Sequence, residues 1–102
     1  MIDLQPRELE LVLTILKTHL PHCEVRAFGS RVTGRGVKKH SDLDLVVVGK
    51  EKLAPGITQL VSEAFQESDL PFCVDVLDWN SLPREFQSAI EKETVVLQPL
   101  VK

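Results

Sequence analysis

Asp42 and Asp44 stand two residues apart, where a polar segment gives way to the apolar run Leu43 to Val48. Side chains in a strand alternate faces, so residues two apart point the same way. Two carboxylates held that close repel each other unless a cation lies between them. All-oxygen donors select a hard ion such as Mg²⁺, which keeps water ligands and takes further oxygens from phosphate groups. A third carboxylate, Asp75, sits in the same kind of setting, between Val74 and Val76. If its strand neighbours that of Asp44, the three acids form one metal-binding set.

Upstream, an apolar stretch ending at Phe28 breaks at Gly29-Ser30. A strand that turns on glycine into a short helical turn presents unpaired backbone N–H groups, which suit a phosphate. The Ser30 hydroxyl can add a bond to a phosphate oxygen, and Ser30 also suits the N-cap of a turn starting at Arg31. Arg31 is read as a third phosphate-binding residue, with covering of the turn as the alternative. Arg31, Arg35, Lys38, Lys39 and His40 concentrate positive charge in a chain whose formal net charge is −3. The stretch therefore reads as the holder of a nucleoside triphosphate and its metal, with the phosphates over Gly29-Ser30 and the metal on the aspartates. Each residue also has a plainer reading. Asp42 and Asp44 could be turn residues, Asp75 a solvated edge-strand residue, Ser30 a mere cap and the basic cluster a solvated loop.

The elements that must position these groups follow from periodicity. Leu9, Val12, Leu13, Leu16 and Leu20 recur at helical spacing, which predicts a helix from Pro6 to about His19, with Pro21 helping to end it. Cys23 to Phe28 reads as a strand. Leu43 to Val48 is apolar on both faces and so reads as a central strand. A second helix runs from Ile57 to about Glu67, with Leu60, Val61, Ala64 and Phe65 on its inner face. A third strand spans Phe72 to Leu77, and Asp78 beyond it reads as a solvated turn residue. Ser81 is expected to cap a third helix with Pro83 in its first turn and Phe86 and Ile90 inward. Thr94 to Leu97 could form a terminal strand, and Trp79 reads as core. The order predicts an α/β (α+β) chain: a small mixed β-sheet backed by helices.

The 102 residues fall within the usual size of one domain, and 1–102 is expected to be a single domain. The negative net charge disfavours a general nucleic-acid surface. No apolar run approaches the length that spans a membrane. Cys23 and Cys73 form no CxxC pair and read as reduced, buried thiols, so a cytoplasmic location is expected. The Arg35/His40 spacing resembles a ribonuclease signature, but Gly36 inside it argues against the helix that signature needs.

The run GSR…SDLDL followed by VDV resembles the nucleotidyltransferase superfamily that includes DNA polymerase beta and the aminoglycoside nucleotidyltransferases. Its minimal members, the MNT proteins, are the nearest in size. The likeness extends to ESDLPFCVDVLDW and covers nearly the whole chain. It implies that Gly29 and Ser30 form the phosphate-binding turn, that Asp42 and Asp44 bind metal, and that Asp75 is the third catalytic carboxylate. It implies Mg²⁺ or Mn²⁺ as cofactor and ATP or another nucleoside triphosphate as substrate. Arg31 to Ser41 is one residue longer than the family spacing, which a loop absorbs at small entropic cost. MNT proteins pair with HEPN-domain proteins, so the resemblance implies a HEPN partner and transfer of AMP to one of its tyrosines, silencing a toxin. The chain itself has no tyrosine. The rival reading is a non-catalytic antitoxin that blocks its partner by binding alone.

Overall fold

The computed structural model describes residues 2–34 and 41–100. The basic residues Arg35, Lys38, Lys39 and His40, and Val101 in the tail, lie outside the described residues. Helix α1 spans Pro6–His19 and strand β1 Glu24–Phe28. A one-turn helix α2, Ser30–Thr33, follows, then strand β2, Leu43–Val48. Helix α3 is Ile57–Gln66 and strand β3 is Val74–Asp78, continued by a 3₁₀ turn at Trp79–Ser81. Helix α4, Arg84–Glu91, and strand β4, Val95–Gln98, complete the chain.

Pro6 opens α1, where its missing N–H is no loss. The Glu8 carboxylate accepts from the Gln5 backbone N–H at 2.9 Å, which satisfies one of the donors a helix start leaves unpaired. The four strands order as β3-β2-β1-β4. Strand β1 runs antiparallel to both β2 and β4, whereas β2 and β3 are parallel. A parallel pair needs a crossover, and α3 supplies it, packing on β3 and against α1.

Val12, Leu16, Val25, Ala27, Leu45, Val47, Val61 and Phe65 form the core between the helices α1 and α3 and one face of the sheet. Strand β2 is interior, as its two-faced apolarity predicts, and its Leu43, Leu45, Val46 and Val47 are fully buried. Each such side chain is worth roughly 1.5–3 kcal/mol on burial. A one-residue slip of β2 would turn Leu43, Leu45 and Val47 away from the core and Asp44 into it, so burial fixes the register that places Asp44. On the other face, Phe28 meets Phe86 of α4 edge to face, with centroids 6.4 Å apart.

Several expectations need correction. Leu60 is 51% exposed, so the inner face of α3 is carried by Val61 and Phe65. Phe86 is 45% exposed and only Ile90 of α4 is buried. Ser81 does not cap α4: it closes the 3₁₀ turn, and Pro83 stands at the N-cap. Asp78 is no solvated turn residue. Its carboxylate accepts from the backbone N–H of Leu53 at 2.9 Å and of Asn80 at 3.1 Å, tying the β2–α3 connection to the end of β3. Asn80 completes that tie by donating to the carbonyls of Gly49 and Glu51. Trp79 is half-buried and stays outside the main core. Both cysteines are free, but Cys73 is exposed and Cys23 only half-buried. None of the helices among the described residues is long and apolar enough to cross a membrane.

Candidate active site

Gly29 follows β1 and stands at the N-cap of α2, with φ 82° and ψ −161°. That combination is essentially restricted to glycine. Space imposes the same restriction, since a Cβ at Gly29 would lie 2.3 Å from the Oδ2 of Asp44. The sharp turn thus brings the backbone of β1 directly against the Asp44 carboxylate. The N–H groups of Val32 and Thr33 both donate to the Gly29 carbonyl at 3.0 Å, closing the turn. Ser30 is the first residue of this turn and not its cap, which corrects the expected order: Gly29 holds the cap position.

Asp44 lies on β2 and pairs in register with Asp75 on β3. This is the neighbour relation on which the three-carboxylate reading depends. Asp42 precedes the first residue of β2, on the approach to the same site. Asp42 and Asp75 are exposed and Asp44 is half-buried. Burial pushes the Asp44 carboxyl above the ordinary aspartate range, and the charges of Asp75 and then Asp42 push it the same way. All three causes disfavour the charged form of this carboxyl.

Arg31 is held by segments distant in sequence. It is 5% exposed, with its guanidinium over the Phe72 ring at 4.0 Å. Its Nε donates to the Ser41 carbonyl at 2.8 Å and its Nη1 to the Asp3 carbonyl at 2.9 Å. Ser41 immediately precedes Asp42, and Phe72 lies just ahead of β3. In this geometry Arg31 ties the turn to the start of both carboxylate-bearing strands, which is the covering role weighed beside phosphate contact. The Leu43 N–H completes the join by donating to the Cys73 carbonyl at 2.9 Å. Nothing in the sequence separates an arginine that meets phosphate from one that staples three segments, because its partners come from distant positions.

The model of the nucleotidyltransferase domain family matches residues 9–97. The chain belongs to this family. A protein of Haemophilus influenzae named "Probable protein adenylyltransferase MntA" is 45% identical over 97 residues, which is 95% of this chain and 84% of that one. Among solved structures, a toxin–antitoxin complex with AMP-PNP matches with a TM-score of 0.72 at 20% identity, over 88% of this chain and 72% of that chain. An MNT antitoxin complex with the tri-AMPylated HEPN toxin of Shewanella oneidensis matches with a TM-score of 0.65 at 18% identity, over 88% and 68%. These structures share the nucleotidyltransferase fold with this chain.

Among the described residues, no three carboxylate, histidine or cysteine side chains are grouped so as to hold a metal ion by themselves. The donors at hand are carboxylate oxygens, the type that a hard ion such as Mg²⁺ takes together with water and phosphate oxygens.

A cleft of about 560 Å³ opens beside the carboxylates, with Asp42 and Asp75 in its wall. Its other walls come from α3 and the segment leading into β3, including Phe65, Leu70, Phe72 and Cys73. The sequence pattern marks these residues only as helix face and strand start, so the cleft was not legible there.

Proposed function

We propose that this nucleotidyltransferase domain transfers AMP from ATP to a tyrosine hydroxyl of a HEPN-domain partner, and that this modification silences the partner. The observation that carries the reading is the pairing of Asp44 with Asp75 in register, with Gly29 against Asp44. The likeness to the Haemophilus influenzae adenylyltransferase over most of both chains supports the choice of adenylyl group and protein acceptor. A fold shared with MNT antitoxins in complex with HEPN toxins supports the partner.

In this reading Gly29 lets the triphosphate approach the backbone, and the Ser30 hydroxyl bonds a phosphate oxygen. Asp42, Asp44 and Asp75 would hold Mg²⁺, or Mn²⁺ in its place. When bound, the ion neutralises charge on the phosphates and on the attacking and leaving oxygens. Asp75 faces the acceptor side and orients the attacking hydroxyl. Arg31 keeps the turn and the two strand entrances in fixed relation, which matters because phosphoryl-type transfer is mainly positioning and charge stabilisation. The test is co-expression with a HEPN-domain protein encoded beside this chain, followed by intact-mass analysis of that partner. Added AMP on a tyrosine, absent with Asp44→Asn, supports the reading. An unmodified but inhibited partner contradicts it and favours inhibition by binding alone.

A further inference from the structure

We infer that the groove between Phe28 and helix α4 seats the base of the nucleoside triphosphate, with Phe86 as the side chain on which the base stacks. This rests on the reading above that the triphosphate lies over the Gly29-Ser30 turn.

Two hollows adjoin the candidate site among the described residues. One is the cleft with Asp42 and Asp75 in its wall. The other, of about 260 Å³, has Phe28 and Gly29 on one side and Phe86, Ala89, Ile90 and Glu93 on the other. Gly29 joins this second hollow to the carboxylates, because its backbone lies directly against Asp44. A nucleotide with a phosphate at Asp44 and Gly29 therefore has this groove within reach of its nucleoside. A base in the first cleft would stand in front of Asp75, where an acceptor must enter. The grooves along α1 touch neither the turn nor the carboxylates.

The lining decides which end of the nucleotide the groove takes. Phe28, Phe86, Ala89 and Ile90 are apolar, and Glu93 is the one charged residue among the described residues that line it. Such a surface gives a polyphosphate no cation to meet, but it suits the flat face of a base. Helix α4 builds one wall by its period: Phe86, Ala89 and Ile90 fall at i, i+3 and i+4 and so share a stripe. Ile90, 5% exposed, anchors that stripe, whereas Phe86 stays 45% exposed. Phe86 and Phe28 meet with their ring planes at 90°. In an edge-to-face pair one ring presents only its edge, so Phe28 covers at most one face of Phe86. The other face is left for a stacked ring. Every base has such a face, so the groove holds the nucleoside end without reading its hydrogen-bonding pattern.

Calorimetric titration of the full chain with Mg²⁺ separates the two ends of the ligand. AMP-PNP serves as the whole nucleotide and inorganic tripolyphosphate as the phosphate end alone. Wild type should bind AMP-PNP about tenfold or more tightly than tripolyphosphate. Phe86→Ala should remove most of that advantage and leave tripolyphosphate affinity within about twofold, while Phe86→Trp should retain the advantage. Ala89→Leu fills the groove from an exposed helix position and keeps the contact between Phe28 and Phe86. It too should weaken AMP-PNP alone. Equal affinity of wild type for both ligands overturns the base assignment and leaves the phosphate turn in place. So does AMP-PNP binding that is unchanged in Phe86→Ala and Ala89→Leu, or a loss in them that tripolyphosphate shares. Wild type that binds neither ligand overturns the placement of the triphosphate over the turn and, with it, this inference. A HEPN partner left unlabelled despite Phe86-dependent AMP-PNP binding overturns the transfer reading alone and supports the base assignment.

Discussion

A side-chain carbon at Gly29 would fall 2.3 Å from the Oδ2 of Asp44, closer than real Cβ contacts come. The turn and the carboxylate are therefore one unit, and the first prediction concerns it. Gly29→Ala should displace Asp44 as well as strain the backbone. Holding a non-glycine residue at this φ and ψ costs of order 1–3 kcal/mol before any clash. Thermal unfolding should show that loss, and nucleotide affinity should fall with it. A variant with wild-type stability and affinity would mean that the turn tolerates a side chain.

Asp44 also sets a pH dependence. Its carboxyl is raised above the ordinary aspartate range, first by burial and then by Asp75 and Asp42. The folded state therefore binds this proton more tightly than the unfolded chain does. In the metal-free protein, stability should fall as pH rises through the carboxylate range, and be regained as pH drops below it. Asp44→Asn should make the metal-free protein more stable at neutral pH and flatten that slope. Added Mg²⁺ should stabilise the wild type and leave Asp44→Asn little changed. Denaturant melts at several pH values, with and without the ion, check all three.

Arg31→Lys should be far from conservative. A lysine cannot keep both the Ser41 and Asp3 carbonyls while lying flat on Phe72. Losing those contacts should cost about 2–4 kcal/mol in unfolding free energy. A change confined to the KM for ATP, with stability intact, would return Arg31 to the phosphate-binding role.

The two thiols should differ in reactivity. Burial, then the charge of Asp78, raises the Cys23 thiol, whereas Cys73 is exposed. Under limiting alkylation near neutral pH, Cys73 should react first, because the thiolate is the reactive form and access is needed. Peptide mapping of the labelled protein settles the order.

The parts of the site that rest on strand alternation were legible in the sequence. Asp44 and Asp75 lie amid apolar neighbours, and burial of those neighbours dictates register, so their pairing followed once the strands were adjacent. The turn at Gly29-Ser30 was legible for the same local reason, although the cap position moved by one residue. Contacts between distant segments were not legible. Arg31 reads as either a phosphate-binding residue or a cover of the turn, and its contacts to Asp3, Ser41 and Phe72 could not be read from its neighbours in sequence. Asp78 reads as a turn residue, yet the Leu53 backbone uses its carboxylate. Leu60, Phe86 and Cys73 were expected inside because apolarity signals burial only where another element covers the residue. Phe86 stays 45% exposed despite its contact with Phe28, and Leu60 and Cys73 are exposed as well.

The central claim is that Asp42 and Asp44 support transfer of a nucleotide to a protein hydroxyl. The most direct measurement follows label from ATP carrying it on the α-phosphate, with Mg²⁺ and the HEPN-domain partner, in wild type, Asp42→Asn and Asp44→Asn. The account predicts label on the partner with wild type and a loss of roughly 10²-fold or more in each variant, the scale of several kcal/mol of charge stabilisation. Equal labelling by wild type and both variants would contradict it, as would a silenced partner that carries no label.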